Sequence, residues 1–288
     1  MRIVASVFGM FLASVSWVSA QVTVELLLEQ DQFLRDESMP IKVRVVNRSG
    51  QTLALGREAE WLVFHVANRD ESLVDKLADV PLGQEFSLES ATAANKTMDL
   101  MPFFDLSQPG AYTVSAQIRV KEWNQEFVSP PKSFEIVRGA SLWEQEVGVP
   151  AAGGVPEVRK FTLQQATYRK QFQLYARVTD VEERKVFKVL RLGQLVSFSH
   201  PEAQVDKESR LHVLFQTGAR AFIYCVVSVD GAIVAKQTHD YTQTRPTLKS
   251  ADDGRIIVAG GVRRALPSDL PPPAPTGKST NEVKAPKS

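Results

Sequence analysis

The chain carries four histidines, His65, His200, His212 and His239, and their spacing decides what chemistry they can share. No pair stands in a His-x-x-x-His or His-Glu-x-x-His arrangement, the spacing that sets two zinc ligands on one helical face. The sequence also lacks a Gly-x-Ser-x-Gly nucleophile elbow, a phosphate-cradling P-loop and a Gly-x-Gly-x-x-Gly dinucleotide turn. No catalytic residue, metal or cofactor is therefore expected. What remains is surface chemistry. His239-Asp240-Tyr241 is the most polar aromatic cluster, and with His200 it could line one end of a sheet as a ligand site. Trp123, between Glu122 and Asn124 at a hairpin, is where an exposed indole would stack against a sugar ring. Trp61, Trp143, Tyr112 and Phe127 are further aromatic candidates, with Trp61 expected in the core. The ligand surface expected from sequence is thus Trp123, His200, His239 and Tyr241.

These residues need a scaffold, and composition restricts it. The 288 residues are 43% hydrophobic and 23% charged, which excludes a largely disordered or multi-span membrane chain. A balance of 34 basic against 33 acidic residues lacks the positive field that nucleic acid binding needs. Residues 1–20 place Arg2 before an apolar run and end in Val18-Ser19-Ala20, the order of a secretory signal cleaved before Gln21. No later stretch is long and apolar enough to span a membrane, so no transmembrane segment is expected after cleavage. A periplasmic or secreted protein follows. Its one cysteine, Cys225, lies in an apolar run and reads as a small buried hydrophobe.

From residue 21 to 138 the apolar period is mostly two. Val22, Val24 and Leu26 alternate with Thr23 and Glu25; Ile41, Val43 and Val45 alternate with Lys42 and Arg44. Trp61 to Val66 predicts a strand buried on both faces, and Tyr112 to Val120 alternates over its length. Phe134 and Ile136, after Pro130-Pro131, predict a last strand at a sheet edge. About seven short strands at this spacing predict an antiparallel sandwich. The run from Met39 to Gly50, with Pro109-Gly110 and Tyr112 to Val114, resembles immunoglobulin-like modules of bacterial envelope proteins. It is similar in particular to the sandwich of the intracellular proteinase inhibitor family. That resemblance implies a protease inhibitor as one reading, with the loop from Asp70 to Ala94 as bait.

Glycines and prolines between 139 and 156 predict a linker. Residues 157–264 then repeat. Glu208-Ser209-Arg210-Leu211-His212-Val213 and Asp253-Gly254-Arg255-Ile256-Ile257-Val258 lie 45 residues apart, as do Pro201 and Pro246. Phe172 to Val178 corresponds to Phe222 to Ser228. The unit resembles a propeller blade, and Ser250 to Arg255 looks like the Asp-box turn of sialidase-type propellers. Two units are too few to close a propeller, and open edges invite self-association. Residues 265–288, with six prolines and no aromatic residue, predict a disordered tail.

The expected fold class is all-β: an immunoglobulin-like antiparallel sandwich followed by a second β domain from a duplicated blade-like unit. The expected function is non-catalytic binding or scaffolding in the bacterial envelope, with an envelope protein or polysaccharide as partner. A carbohydrate-active accessory module or degenerate sialidase-like fragment stays open beside it.

Overall fold

The structure, a computed structural model, describes residues 22–58, 60–149 and 157–265. The expected signal and nearly all of the expected tail lie outside them. The chain is all-β, with two short 3-10 turns at Met101–Phe103 and Lys121–Trp123. Among the described residues no helix is long and apolar enough to cross a membrane. Two compact units divide between Gly139 and Ala140.

The first unit contains β1 (Val22–Leu28), β2 (Gln32–Leu34), β3 (Pro40–Asn47), β4 (Leu53–Leu55), β5 (Leu62–Asn68), β6 (Phe86–Leu88), β7 (Thr92–Asp99), β8 (Gly110–Val120), β9 (Gln125–Val128) and β10 (Lys132–Val137). One sheet runs β1-β3-β7; the other runs β2-β10-β8-β5, with β9 beside β8; β4 and β6 form a small third pair. The alternating pattern orients each strand: Ile41, Val43 and Val45 are buried while Lys42 and Arg44 are exposed. Tyr112, Val114, Ala116, Ile118 and Val120 likewise face one apolar core shared with β1, β3 and β5. Burial on one face is also the rule in β5. Leu62, Phe64 and Val66 are buried, but Val63 and His65 are only half-buried, so the expectation of two buried faces is not met. On that second face His65 Nε2 lies 3.1 Å from Gln117 Oε1. Nor is β10 an edge: the short β2 pairs with it in parallel, opposite its antiparallel neighbour β8. Two polar contacts fix corners of this unit. Tyr112 Oη donates to the Gln108 carbonyl at 2.6 Å. The fully buried Asn47 amide donates to the carbonyls of Gln51 and Leu88 at 2.7 and 2.9 Å.

The second unit contains β11 (Ala140–Val149), β12 (Glu157–Tyr168), β13 (Gln171–Thr179), β14 (Val186–Leu195), β15 (Glu202–Val205), β16 (Leu211–Gln216), β17 (Ala221–Val227), β18 (Ile233–Asp240), β19 (Thr247–Ser250), β20 (Ile256–Ala259) and β21 (Val262–Arg263). Residues 140–149, expected as linker, instead form the first strand of an antiparallel β11-β12-β13-β14 sheet. A second sheet runs β15-β16-β17-β18-β21, and β19-β20 pair with each other. Phe161, Leu163, Leu174 and Ala176 of the first sheet share a core with Leu211, Val213, Phe215 and Cys225 of the second. The other face of the second sheet carries Leu214, Phe222, Tyr224 and Val226, packed with Leu248, Ile256 and Val258 of the β19-β20 hairpin. With both faces covered, all six residues of β16 are buried. Cys225 sits in that core, and burial pushes its thiol up to about 11.

The 45-residue correspondence holds at the turns. Asp206 N donates to the Arg210 carbonyl and Ser209 N to the Asp206 carbonyl; Ala251 N and Gly254 N do the same with Arg255 and Ala251. Ser209 and Gly254, at the same turn position, have φ of 59° and 78°. The layering differs from that of a blade. The strands of the first expected repeat divide between two sheets, β13 and β14 in one and β15 and β16 in the next; those of the second repeat split β17-β18 from β19-β20.

Candidate functional site

Cavities in the first unit gather around one residue. Trp61 closes the loop between β4 and β5 and borders cavities of about 490, 340 and 240 Å³. The loop that carries it needs Gly56, whose φ of +90° favours glycine and whose absent Cβ would fall 2.8 Å from the Gln84 carbonyl oxygen. The indole is 4% exposed and meets the Phe86 ring edge-on at 5.6 Å. Its N–H is buried and has no hydrogen-bond acceptor among the described residues. A buried donor left this way costs about 1–3 kcal/mol.

Charges ring the cavities of about 490 and 340 Å³, and the cations among them are paired with carboxylates. Arg57 meets Glu85 at 2.9 Å, Lys76 meets Asp79 at 2.6 Å, and Lys121 meets Glu58. Lys96 is different. It occupies an inward-facing position of β7, in phase with Ala94 and Met98, and no ion pair engages it among the described residues. Its Nζ sits 5.5 Å from the centroid of the Trp61 ring. Burial pushes its ammonium below the usual lysine value. A Cβ at Gly83 would lie 3.2 Å from that Nζ, so this glycine leaves the lysine its room. Lys96 and Trp61 together line the 240 Å³ groove, whose other walls are Val43, Val45, Phe86, Ala94 and Asn95.

The second unit holds a buried polar chain with the outline of a catalytic triad. Asp206 Oδ2 lies 2.8 Å from His212 Nε2, and His212 Nδ1 lies 2.6 Å from the Tyr224 hydroxyl. An ionised carboxylate only accepts, so in the neutral ring Nε2 donates to Asp206 and Nδ1 accepts from Tyr224. Arg210 adds a guanidinium contact to Asp206 at 2.7 Å, and the backbone N–H groups of Glu208 and Arg210 donate to Oδ1 at 3.0 and 2.9 Å. Burial alone would push the Asp206 carboxyl up. The bonds from His212 and Arg210 outweigh it and hold the group down to about 2. The side chains of Asp206 and His212 are 1% and 6% exposed. Every partner in this chain is satisfied from within, and it opens on none of the cavities around Trp61.

The residues expected to form a ligand surface fall apart. Trp123 is half-buried at the turn before β9, edge-on to Phe127 at 6.4 Å and packed on the first unit's core. His200 is exposed in the loop between β14 and β15. His239 is buried in β18 between its strand partners Phe222 and Arg263, edge-on to Tyr224 at 6.3 Å, with Nε2 unpaired. Burial, and then Arg263, lowers its pKa, which favours the neutral ring. Tyr241, just beyond, is 39% exposed. Among the described residues no hydrogen bond joins His200 to His239 or Tyr241. Sequence reasoning placed Trp61 in the core, where it is, but did not find Lys96. The available signal was a lysine in phase with Ala94 and Met98.

No family model matches the chain, and no curated protein matches it. Among solved structures it is similar to the sporulation control protein Spo0M from Bacillus subtilis, at 10% identity and a TM-score of 0.28, over 56% of this chain and 80% of that one. An overlap of that size does not identify a shared fold.

Proposed function

We propose that the chain is an exported, non-catalytic binding protein of the bacterial cell envelope, and that it binds through the cleft around Trp61. The observation that carries this reading is the contrast in polar satisfaction. The one triad-like arrangement is sealed and internally paired, whereas the Trp61 surroundings combine open volume, an unpaired cation and an unpaired buried donor. Catalysis needs groups that reach a substrate, and Asp206, His212 and Tyr224 are all spent on one another. Binding sites are concave, mostly apolar and carry a few placed polar groups, as the groove at Lys96 does. Export rests on the signal-like order of residues 1–20.

In this reading the first unit is an immunoglobulin-like sandwich. Two features support that: the Tyr112–Gln108 bond has the form of a tyrosine corner, and the parallel β2-β10 pair joins the beginning of the unit to its last strand. The second unit is a duplication whose shared mark is the turn at 206–210 and 251–255.

The test has two arms. N-terminal sequencing of the protein from the periplasmic fraction should begin at Gln21; protein confined to the cytoplasm with residues 1–20 attached refutes export. In a variant whose only tryptophan is Trp61, one envelope fraction (peptidoglycan fragments, lipid extract or soluble periplasmic components) should shift the indole emission saturably. Silence with all three refutes the cleft as the binding site.

A further inference from the structure

A second cavity-lining feature of the first unit, the Lys96 cation that no ion pair engages among the described residues, narrows the ligand. The 240 Å³ groove is walled mainly by Val43, Val45, Phe86, Ala94 and the Trp61 ring, and its charge comes from Lys96. We propose that this groove takes a carboxylate carried on a short apolar stem, with Lys96 Nζ holding the carboxylate and the valine and aromatic walls holding the stem; the proposal rests on the Trp61 cleft being the binding site.

Three observations carry it. First, Lys96 has been taken partly out of water without gaining an anion in exchange, whereas the rim cations Arg57, Lys76 and Lys121 each meet a carboxylate. A partly desolvated ammonium is stabilised by an incoming anion more than a hydrated one is, because less water must be displaced. Second, no carboxylate lines the groove, so an anionic ligand meets no like charge there, whereas Glu58, Glu60 and Asp79 line the cavity of about 490 Å³. Third, the volume sets the size. The groove of about 240 Å³ has room for a carboxylate and a short apolar stem and is too small for a folded segment.

A purely architectural role for Lys96 exists as well. β7 is the outer strand of its sheet, and an inward-pointing charge on an edge strand discourages pairing with another chain. That role predicts self-association on removing the charge and no ligand; the proposal predicts a ligand.

The experiment is calorimetric titration of the full chain with hexanoate, hexanol and hexylamine, repeated on Lys96→Met and Lys96→Arg. Hexanoate should bind at least about tenfold more tightly than hexanol, the scale of one charge-assisted contact, and hexylamine should not bind. Lys96→Met should lose at least about tenfold for hexanoate and leave hexanol unchanged, while Lys96→Arg keeps most of the affinity. Equal binding of acid and alcohol, full affinity in Lys96→Met, or no heat with hexanoate on the parent chain overturns the proposal. The Trp61-only variant separates this failure from the wider one. If hexanoate is silent but an envelope fraction still shifts Trp61 emission, the ligand class is wrong and the site stands. If both are silent, the site itself is refuted.

Discussion

Around Asp206 and around Trp61 the same chain buries polar groups in opposite ways. In the second unit a carboxylate, an imidazole, a phenol and a guanidinium are removed from water together, and each finds a partner within the set. In the first unit an indole N–H is buried with no acceptor among the described residues, beside an ammonium that is partly desolvated and engaged by no ion pair there. Hydrogen-bonded burial holds layers together, whereas unpaired burial costs stability. On the proposed reading the triad-like geometry serves the architecture, and the cleft at Trp61 is the place proposed to bind. The matching turn at 251–255 sharpens the point. At the 45-residue offset Asp206 and His212 correspond to Ala251 and Ile257, so the polar chain belongs to one copy of the turn and not to the turn itself.

Breaking the satisfied set should have the largest effect. Asp206→Ala removes the carboxylate that both Arg210 and His212 engage, and because the Arg210 guanidinium is 38% exposed and keeps Glu208, the expected cost is about 1–3 kcal/mol. In urea unfolding followed by separate probes, Trp143 for the second unit and Trp61 for the first, only the second unit's midpoint should fall. A fall of less than about 1 kcal/mol would mean the set is solvated and not structural.

Acid should attack the same place from another direction. Asp206 is held at about 2 in the folded chain, below its unfolded value, so the unfolded state binds more protons between the two. Its contribution, on the order of 2 kcal/mol, is present above about pH 4 and lost as pH falls toward 2. His239 adds to this earlier. Its folded pKa is also depressed, so stability declines as pH drops below the ordinary histidine value of about 6.5. Of the groups that face it, Arg263 opposes its protonation and Asp240 favours it, while the Tyr224 ring is neutral in this range. Thermal melting of Asp206→Asn should be flatter than the parent between pH 4 and 2.

A smaller loss belongs to the first unit's own satisfied corner. Tyr112→Phe removes the bond to the Gln108 carbonyl but keeps the ring stacked on Phe134 at 5.6 Å, so the urea midpoint of the first unit should fall by about 1 kcal/mol.

The contrast was partly legible in the sequence, and the reason is periodicity. A period of two tells which side of a strand faces the core, so the buried faces of β3 and β8 could be read directly from Ile41 to Val45 and from Tyr112 to Val120. It does not tell which sheet a strand joins. The repeat was visible at 206–210 and 251–255, but the split of each four-strand unit across layers was not, because β15 and β19 are only four residues long. β11 was hidden for a related reason. As the outer strand of its sheet it carries Glu144, Gln145 and Glu146 toward solvent and so reads as linker. β10 was misread as an edge because its outer partner, β2, has three residues and no period to detect. Lys96 was missed because Thr92 to Asp99 has too few apolar residues to read as a strand, and a lysine has an inward side only once the strand is known.

The smallest expected effect on stability is the most telling, because its sign differs from the others. Lys96→Met keeps an unbranched stem of similar length against Trp61 and removes a charge that burial has already made costly. Asp206→Ala and Tyr112→Phe each remove a satisfied group and must destabilise. Lys96→Met removes an unsatisfied group, so the first unit's urea midpoint should hold or rise, by no more than about 1 kcal/mol. Sedimentation at several concentrations run alongside would register any pairing through the β7 edge once its inward charge is gone. A loss greater than about 1 kcal/mol in the monomer would make Lys96 a structural cation, its contact with the Trp61 ring worth more than its desolvation costs. The two regions would then differ only in the kind of partner each uses, an aromatic face in one and a carboxylate in the other, and the case for a binding groove in the first would fall with that result.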